Sequence, residues 1–170
     1  MGSGKTTIGR HLAKNIGYSF VDTDCFIEMW QDLTISEIFA RHGEAAFREM
    51  ERQILIYLQC CGSLVISTGG GMPCYEDNIN IMVGASPAPT NTKVIYLKMS
   101  PQMLAQRLIR SRTERPLIKG KTETELIQYI TEQLDKREHF YNRADIVIQT
   151  ENYSLEEILE LLKNQLLLNQ

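Results

Sequence analysis

Met1 to Thr7 reads MGSGKTT, and this stretch decides the fold that the rest of the sequence is expected to adopt. It forms the second half of the nucleotide-binding pattern GxxxxGK[ST]. In that pattern glycines let successive backbone N–H groups converge on phosphate oxygens at the positive end of a helix. Lys5 would reach the outer phosphates and the Thr6 hydroxyl would bind Mg²⁺. A plain Gly-Ser-Gly turn before a helix is the alternative. The candidate nucleotide-binding residues are Gly2, Ser3, Gly4, Lys5, Thr6 and Thr7.

The pattern lacks its first glycine and the strand that normally leads into such a loop. In a doubly wound sheet that strand lies in the middle, so its absence would leave the hydrogen-bonding edges of both neighbours open. Either the natural polypeptide begins upstream of Met1, or the chain is a degraded copy. We favour the first explanation, because the motifs that follow are complete.

The bulk composition narrows the class of protein. With 170 residues, 43% of them hydrophobic and 23% charged, the chain has the size of one globular domain. A net charge of −3 gives no overall positive field for a nucleic acid. No apolar run reaches the roughly 18 residues that span a bilayer. The four cysteines lack the spacing of a metal site or disulfide framework. We therefore expect a cytoplasmic protein with buried thiols that binds neither nucleic acid nor membrane.

Short apolar strands alternate with longer amphipathic stretches along the chain. This alternation predicts an α/β fold in three layers, with a parallel sheet and helices on both faces. Strands are predicted at Tyr18–Asp22, Leu64–Thr68, Lys93–Lys98 and Ile146–Thr150. Helices are predicted at Lys5–Ile16, Asp24–Gln31, Ile35–His42, Gly43–Cys61, Tyr75–Val83, Pro101–Ser111, Thr122–Asn142 and Ser154–Leu168. The basic stretch Ser111–Lys121 is predicted to be a mobile loop.

Asp22-Thr23-Asp24 closes the first predicted strand, at the sheet edge where α/β folds bind their ligands. One carboxylate can serve a metal ion while the other orients an acceptor hydroxyl and takes its proton, and a kinase needs both tasks. The alternative is an Asp that caps the next helix. A cap and a catalytic role can also coexist.

Basic residues and glycines supply a candidate site for an acidic acceptor. Arg48 and Glu51 lie three residues apart on a predicted helix, although such a pair is also typical of a solvated surface, as is Arg137. Gly69, Gly70 and Gly71 follow a strand, where three glycines predict either a wide turn or close approach of a ligand to bare backbone.

Taken together, the motifs GSGKTT, DTD, FRxxE, TGGG, RPL and KRxxxY occur in an order and spacing that resemble shikimate kinase. The resemblance extends from Met1 to about Leu162. It implies a nucleoside-monophosphate-kinase-like domain over residues 1–170 with a five-stranded parallel sheet, here without its first strand. A lid would lie at about 111–121 and a substrate-binding helical region at about 24–62. The implied reaction transfers the γ-phosphoryl of ATP to the 3-hydroxyl of shikimate, in chorismate and aromatic amino-acid biosynthesis, in a monomeric enzyme.

The resemblance also implies a role for each matching residue. At the nucleotide end, Asp22 would support Mg²⁺ together with Thr6, and the lid residue Arg115 would reach the ATP phosphates on closure. Arg107 or Arg110 would stack on adenine.

At the acceptor end, Asp24 would bind the shikimate hydroxyls and act as the base. Arg48 and Arg137 would hold the carboxylate, with Glu51 orienting them. The implied catalytic residues are Lys5, Asp24 and Arg115, and the implied substrate-binding residues are Asp24, Arg48, Gly70, Gly71 and Arg137.

Two rival functions fit the same motifs less well. A gluconate kinase of this fold would also act on a hydroxy acid, but the combination of DTD and TGGG favours shikimate. A catalytically inactive nucleotide-binding module is suggested by the absent strand, but it would not need Lys5, Asp24 and Arg115 together.

Overall fold

Helices and strands alternate through the chain in a computed structural model that describes residues 2–84, 92–111, 118 and 120–168. The strands are β1 (Ser19–Asp22), β2 (Leu64–Ser67), β3 (Ile95–Lys98) and β4 (Ile146–Gln149). The helices are α1 (Lys5–Ile16), α2 (Thr23–Gln31), α3 (Ile35–Gln59), α4 (Asn78–Met82), α5 (Pro101–Arg110), α6 (Glu123–Tyr141) and α7 (Leu155–Leu168). Short 3-10 helices occur at Met72–Cys74 and Thr150–Asn152. The predicted order of elements is confirmed.

The strands pair in parallel, as predicted, but they form two sheets of two strands instead of one continuous sheet. β1 pairs with β2, with Asp22 opposite Ser67, and β3 pairs with β4. Each of the four described strands therefore has a single strand neighbour.

Helix α1 packs against strands of both sheets and so fixes the phosphate loop relative to them. Its Ile8 and Leu12 are buried in one apolar cluster with Ile146 and Ile148 of β4. Partly buried residues of β2 and β3 pack on the same cluster: Val65, Ile95 and Leu97. The buried residues that α7 adds to it are Ile158 and Leu162.

Two further clusters anchor the helices that carry candidate site residues. One joins α2 and α3 to the first sheet, and its buried members are Ile27, Ile38, Phe47, Ile54 and Leu58. The other joins α5 to α6, and its buried members are Met99, Leu104, Ala105, Leu108, Leu126 and Ile130. The backbones of α3 and α6 are therefore held firmly where Arg48 and Arg137 lie.

Helix starts follow the capping chemistry of the sequence. Thr122 and Glu125 form the predicted capping box at the start of α6, and Thr34 and Glu37 form another at α3. Gly43 has φ 79° and ψ 173° and interrupts α3, at the boundary between the two helices predicted there. A residue with a side chain would be strained at that φ.

Other predictions need correction. The predicted helix Tyr75–Val83 is shortened to α4 (Asn78–Met82), because Glu76 adopts a positive φ of 46° near the predicted start. Cys25 and Cys60 are exposed, so the prediction of buried thiols is wrong for them. Residues 112–117 and 119 of the predicted lid, including Arg115, lie outside the described residues. Among the described helices, none has the length and apolar character needed to cross a membrane.

Candidate active site

The phosphate loop is shaped by two glycines with left-handed backbone. Gly2 has φ 74°, and Gly4, the cap residue of α1, has φ 88°. A side chain on Gly2 would also press on Leu108, 3.3 Å from the Cβ position. No side chain caps the N-terminus of α1, so its first N–H groups keep their capacity to bind an anion.

A polar cleft of about 350 Å³ lies in front of this loop. Its lining comes from the phosphate loop, the end of β1, the end of β2 and helix α5: Gly2–Thr7, Asp22, Asp24, Ser67–Gly70, Arg107, Leu108 and Ser111. The predicted phosphate-binding residues Gly2 to Thr7 therefore share one cleft with both predicted carboxylates.

Asp22 both caps a helix and faces the cleft. Its Oδ1 accepts the N–H groups of Asp24 at 3.2 Å and Cys25 at 3.5 Å, at the start of α2. Its Oδ2 accepts the Thr6 hydroxyl at 2.9 Å. The two alternatives for the DTD motif therefore coexist, and two hard oxygen donors stand together beside the phosphate loop.

Asp24 is exposed and lines the same cleft. Desolvation by the surrounding protein raises the pKa of its carboxyl, and the charge of Asp22 raises it further. Lys5 and Arg48 act in the opposite direction. A carboxylate with a raised pKa is a better proton acceptor, which suits Asp24 to general-base chemistry.

Arg48 and Glu51 form a buried ion pair, as their spacing predicted, and not a solvated surface pair. Arg48 Nη1 donates to Glu51 Oε2 at 2.6 Å, and Nη2 donates to Glu44 at 2.9 Å. The Arg48 side chain is 17% exposed and that of Glu51 is 0% exposed. Among the described residues, Glu51 Oε1 is the buried side-chain oxygen that has no hydrogen-bond partner.

The three glycines after β2 bring charged side chains against bare backbone. A Cβ at Gly69 would lie under 3.0 Å from Glu51 Oε1, and a Cβ at Gly71 would lie as close to the Arg48 guanidinium. The sequence predicted either a wide turn or close approach of a ligand here, and ligand contact stays a prediction. At Gly69 and Gly71 the protein's own Glu51 and Arg48 already require glycine.

Arg137 reaches the same glycines from α6. Its Nη1 lies 3.5 Å from the position of a Cβ on Gly70, and the Tyr141 hydroxyl lies 3.4 Å from it. Arg48 and Arg137 come from helices far apart in sequence, yet both guanidinium groups adjoin one glycine loop. Gly70 and Gly71, both predicted substrate contacts, lie between them.

Sequence reasoning missed several residues that hold this site together. Thr23 is fully buried, and its hydroxyl accepts the N–H of Gly69 at 3.2 Å. Asn78 is also buried and donates to the carbonyl of Met72 at 2.9 Å, just after the glycines. Arg52 then bonds to Asn78. The signal in the sequence for Thr23 and Asn78 was that each is a polar residue inside a buried element.

Glu51 should make the free energy of unfolding depend on pH. Burial raises its pKa above the ordinary 4.5, and the pairing with Arg48 only partly offsets this. A carboxyl with a raised folded-state pKa contributes stability below its unfolded pKa, and that contribution is lost as pH rises through the folded value. We expect the unfolding free energy of the unchanged chain, relative to Glu51→Gln, to fall from about pH 4 upward.

Urea unfolding of both proteins between pH 4 and 8 measures this difference. Glu157→Gln is the matched control, because that exposed carboxyl caps a helix and its pKa is lowered. The unfolding free energy of the unchanged chain, relative to Glu157→Gln, should rise with pH instead of falling. Parallel curves for the unchanged chain and Glu51→Gln would contradict a raised pKa at Glu51.

Comparison with known proteins identifies the family. A family model described as shikimate kinase matches residues 1–167. A shikimate kinase of Parabacteroides distasonis is 41% identical over 167 residues, covering 98% of this chain and 93% of its own. The crystal structure of the shikimate kinase of Bacteroides thetaiotaomicron is 35% identical with TM-score 0.89, covering 98% of this chain and 93% of its own.

A second solved structure adds a bound ligand. The shikimate kinase of Acinetobacter baumannii, in complex with shikimate, is 31% identical with TM-score 0.86, and the match covers 100% of this chain and 90% of that one. The match of the family model over nearly the whole length and the two structural likenesses agree with the P-loop kinase fold described above. The chain therefore belongs to the shikimate kinase family, a family of ATP-using phosphotransferases.

Proposed function

We propose that the chain transfers the γ-phosphoryl group of ATP to the 3-hydroxyl of shikimate, giving shikimate 3-phosphate and ADP. The observation that carries this proposal is the shared cleft, in which the phosphate loop and Asp24 face each other. The Arg48–Glu51 pair adjoins the glycines at the rim of that cleft. A nucleotide, an acceptor alcohol and an acceptor carboxylate would thus each meet a matching group.

The nucleotide phosphates would bind Gly2 to Thr7. The N–H groups of the loop and the first turn of α1 supply donors, and Lys5 supplies a positive charge to the phosphoryl group in transfer. Arg107 Nη1 lies 3.6 Å from the Cβ position of Gly4, so Arg107 would contact the nucleotide from α5. The role of Arg115 in neutralising phosphate charge rests on its sequence motif alone.

Mg²⁺ would be held at Thr6 and Asp22. A hydroxyl and a carboxylate are the hard oxygen ligands that Mg²⁺ takes, and the ion usually completes its shell with water and substrate phosphates. In the described part of the chain no group of three or more His, Cys, Asp or Glu side chains forms a metal site. When bound, the ion would neutralise charge between the outer phosphates.

Asp22→Asn tests this assignment without removing the helix cap, because Asn caps helices as well as Asp does. We expect the Mg²⁺ concentration for half-maximal activity to rise at least about tenfold, since a charged ligand is lost. The melting temperature should change little. Asp32→Asn, at an exposed carboxyl at the end of α2, is the control. An unchanged Mg²⁺ requirement for Asp22→Asn would count against a metal role.

The acceptor would bind between Asp24 and the two arginines. The planar guanidinium groups of Arg48 and Arg137 can bind one carboxylate from two sides. The backbone of Gly70 and Gly71 lies between the two guanidinium groups. Asp24 would accept a hydrogen bond from the acceptor hydroxyl. The hydroxyl oxygen then attacks the γ-phosphorus as the bond to the β-phosphate bridging oxygen breaks, and the proton passes to Asp24.

The test of function is release of ADP by this chain with ATP and Mg²⁺ in the presence of shikimate, gluconate or no acid. We expect ADP release that requires shikimate, with gluconate at the level of the blank. ADP release driven by gluconate would identify the rival acceptor. ATP binding without ADP release under any condition would identify an inactive nucleotide-binding module.

The monomeric state stays a prediction of the sequence. Size-exclusion chromatography with light scattering tests the prediction. A cytoplasmic location stays a prediction of the sequence.

A further inference from the structure

Tyr141 joins two parts of the proposed acceptor site. It lies one turn after Arg137 on α6, and its hydroxyl donates to the carbonyl of Gly70 at 2.5 Å, across 71 positions of sequence. Its ring packs against that of Tyr96, with centroids 5.1 Å apart. The hydroxyl and the Arg137 guanidinium approach the same face of Gly70.

The two arginines of the site are held in different ways. Arg48 donates to two carboxylates, Glu51 and Glu44, which compensate its charge. In the part of the chain that the structure describes, no carboxylate forms an ion pair with Arg137, and the adjacent Glu138 pairs with Lys98. The side chain that lies with Arg137 against Gly70 is the phenol of Tyr141, and Glu51, whose carboxylate bonds to Arg48, is near enough for its charge to interact with Arg137.

This phenol stays neutral at ordinary pH. Burial raises the pKa of Tyr141, and the neighbouring Arg137 only partly offsets that effect. The hydroxyl therefore keeps the proton that it donates to Gly70. A neutral group can hold a cation in position without neutralising its charge. The charge of the guanidinium then remains available to attract an incoming carboxylate.

We infer that Tyr141 is a positioning residue. It holds Gly70 and the Arg137 guanidinium together in the arrangement that binds the acceptor carboxylate. The inference rests on the proposed acceptor site and extends it to a residue that touches neither substrate. Such preorganisation lowers the cost of ordering the site when the acid binds.

Tyr141→Phe is the direct test, because it removes the hydroxyl and keeps the ring. We expect the KM for shikimate to rise about tenfold, the scale of ordering one long side chain when the acid binds. The KM for ATP and kcat should stay within about twofold, because the change affects binding of one substrate only. Tyr96→Phe is the matched control: it removes the hydroxyl of the partner ring, which makes no hydrogen bond to a described residue, and should change neither KM.

The combination with Arg137→Ala separates positioning from general stability. If Tyr141 acts through Arg137, the double variant should show the same KM for shikimate as Arg137→Ala alone. Additive effects, or equal rises in the KM for both substrates, would overturn the inference. So would an unchanged KM for shikimate in Tyr141→Phe.

The same set of variants distinguishes failure of this inference from failure of the proposed site. Should Arg137→Ala leave the KM for shikimate unchanged, the acceptor site itself is wrong. Should Arg137→Ala raise that KM while Tyr141→Phe does not, only the positioning role fails.

Discussion

Asp24→Asn is expected to lower kcat by about 10²- to 10⁴-fold, the usual contribution of a positioned general base. An amide keeps the shape of the carboxylate but cannot take the proton of the acceptor hydroxyl. Asp24 faces the cleft with a raised pKa, whereas the helix cap and the bond to Thr6 are made by Asp22. ATP binding should therefore be nearly unchanged.

Steady-state kinetics and a titration with a fluorescent ATP analogue measure these two quantities. Asp32→Asn is a matched control, because Asp32 ends α2 with φ 52°, a conformation that Asn tolerates, and it is exposed. Normal turnover in Asp24→Asn would exclude the role of Asp24 as base. A large loss of ATP affinity would instead place Asp24 in the nucleotide site.

Arg48→Ala is expected to weaken shikimate binding by about 2 to 5 kcal/mol, which is the cost of removing one member of a buried charged contact. At about 1.4 kcal/mol for each tenfold, the dissociation constant would rise between roughly 30-fold and several thousand-fold. The variant should also lower the free energy of unfolding, because Glu51 is fully buried and would be left without its partner.

Isothermal titration with shikimate, and separately with ATP, measures the effect. Arg41→Ala serves as the control, since Arg41 lies on the same helix in an exposed pair with Glu37 at 4.0 Å. Shikimate affinity that survives Arg48→Ala would exclude Arg48 as the carboxylate ligand. A parallel loss of ATP affinity would indicate general destabilisation instead.

Local chemistry made much of the fold predictable. Thr122 and Glu125 specify a capping box, and the helix begins where they are. The end of β1 at Asp22 follows from the change between an apolar strand and a capping carboxylate. Where the conformation of a single residue overrode the pattern, the prediction failed: Glu76 adopts a positive φ, and the helix predicted from Tyr75 begins only at Asn78.

The site was predictable to the extent that its motifs lie at strand ends and helix starts. Burial was not, because it depends on tertiary packing: Glu51 reads as a surface acid on an amphipathic helix, yet it lies beneath Gly69 with no exposure. The link from Tyr141 to Gly70 spans 71 positions and has no local signal. The role of Arg115 and the strand before Met1 stay predictions.

A crystal structure of this chain with shikimate, ADP and Mg²⁺ tests the central claim most directly. We predict that the shikimate carboxylate lies between Arg48 and Arg137, with its 3-hydroxyl at hydrogen-bonding distance from Asp24 and directed toward the phosphate loop. Shikimate bound away from the glycine loop, or with its carboxylate at Asp24 and its ring reversed, would contradict this account.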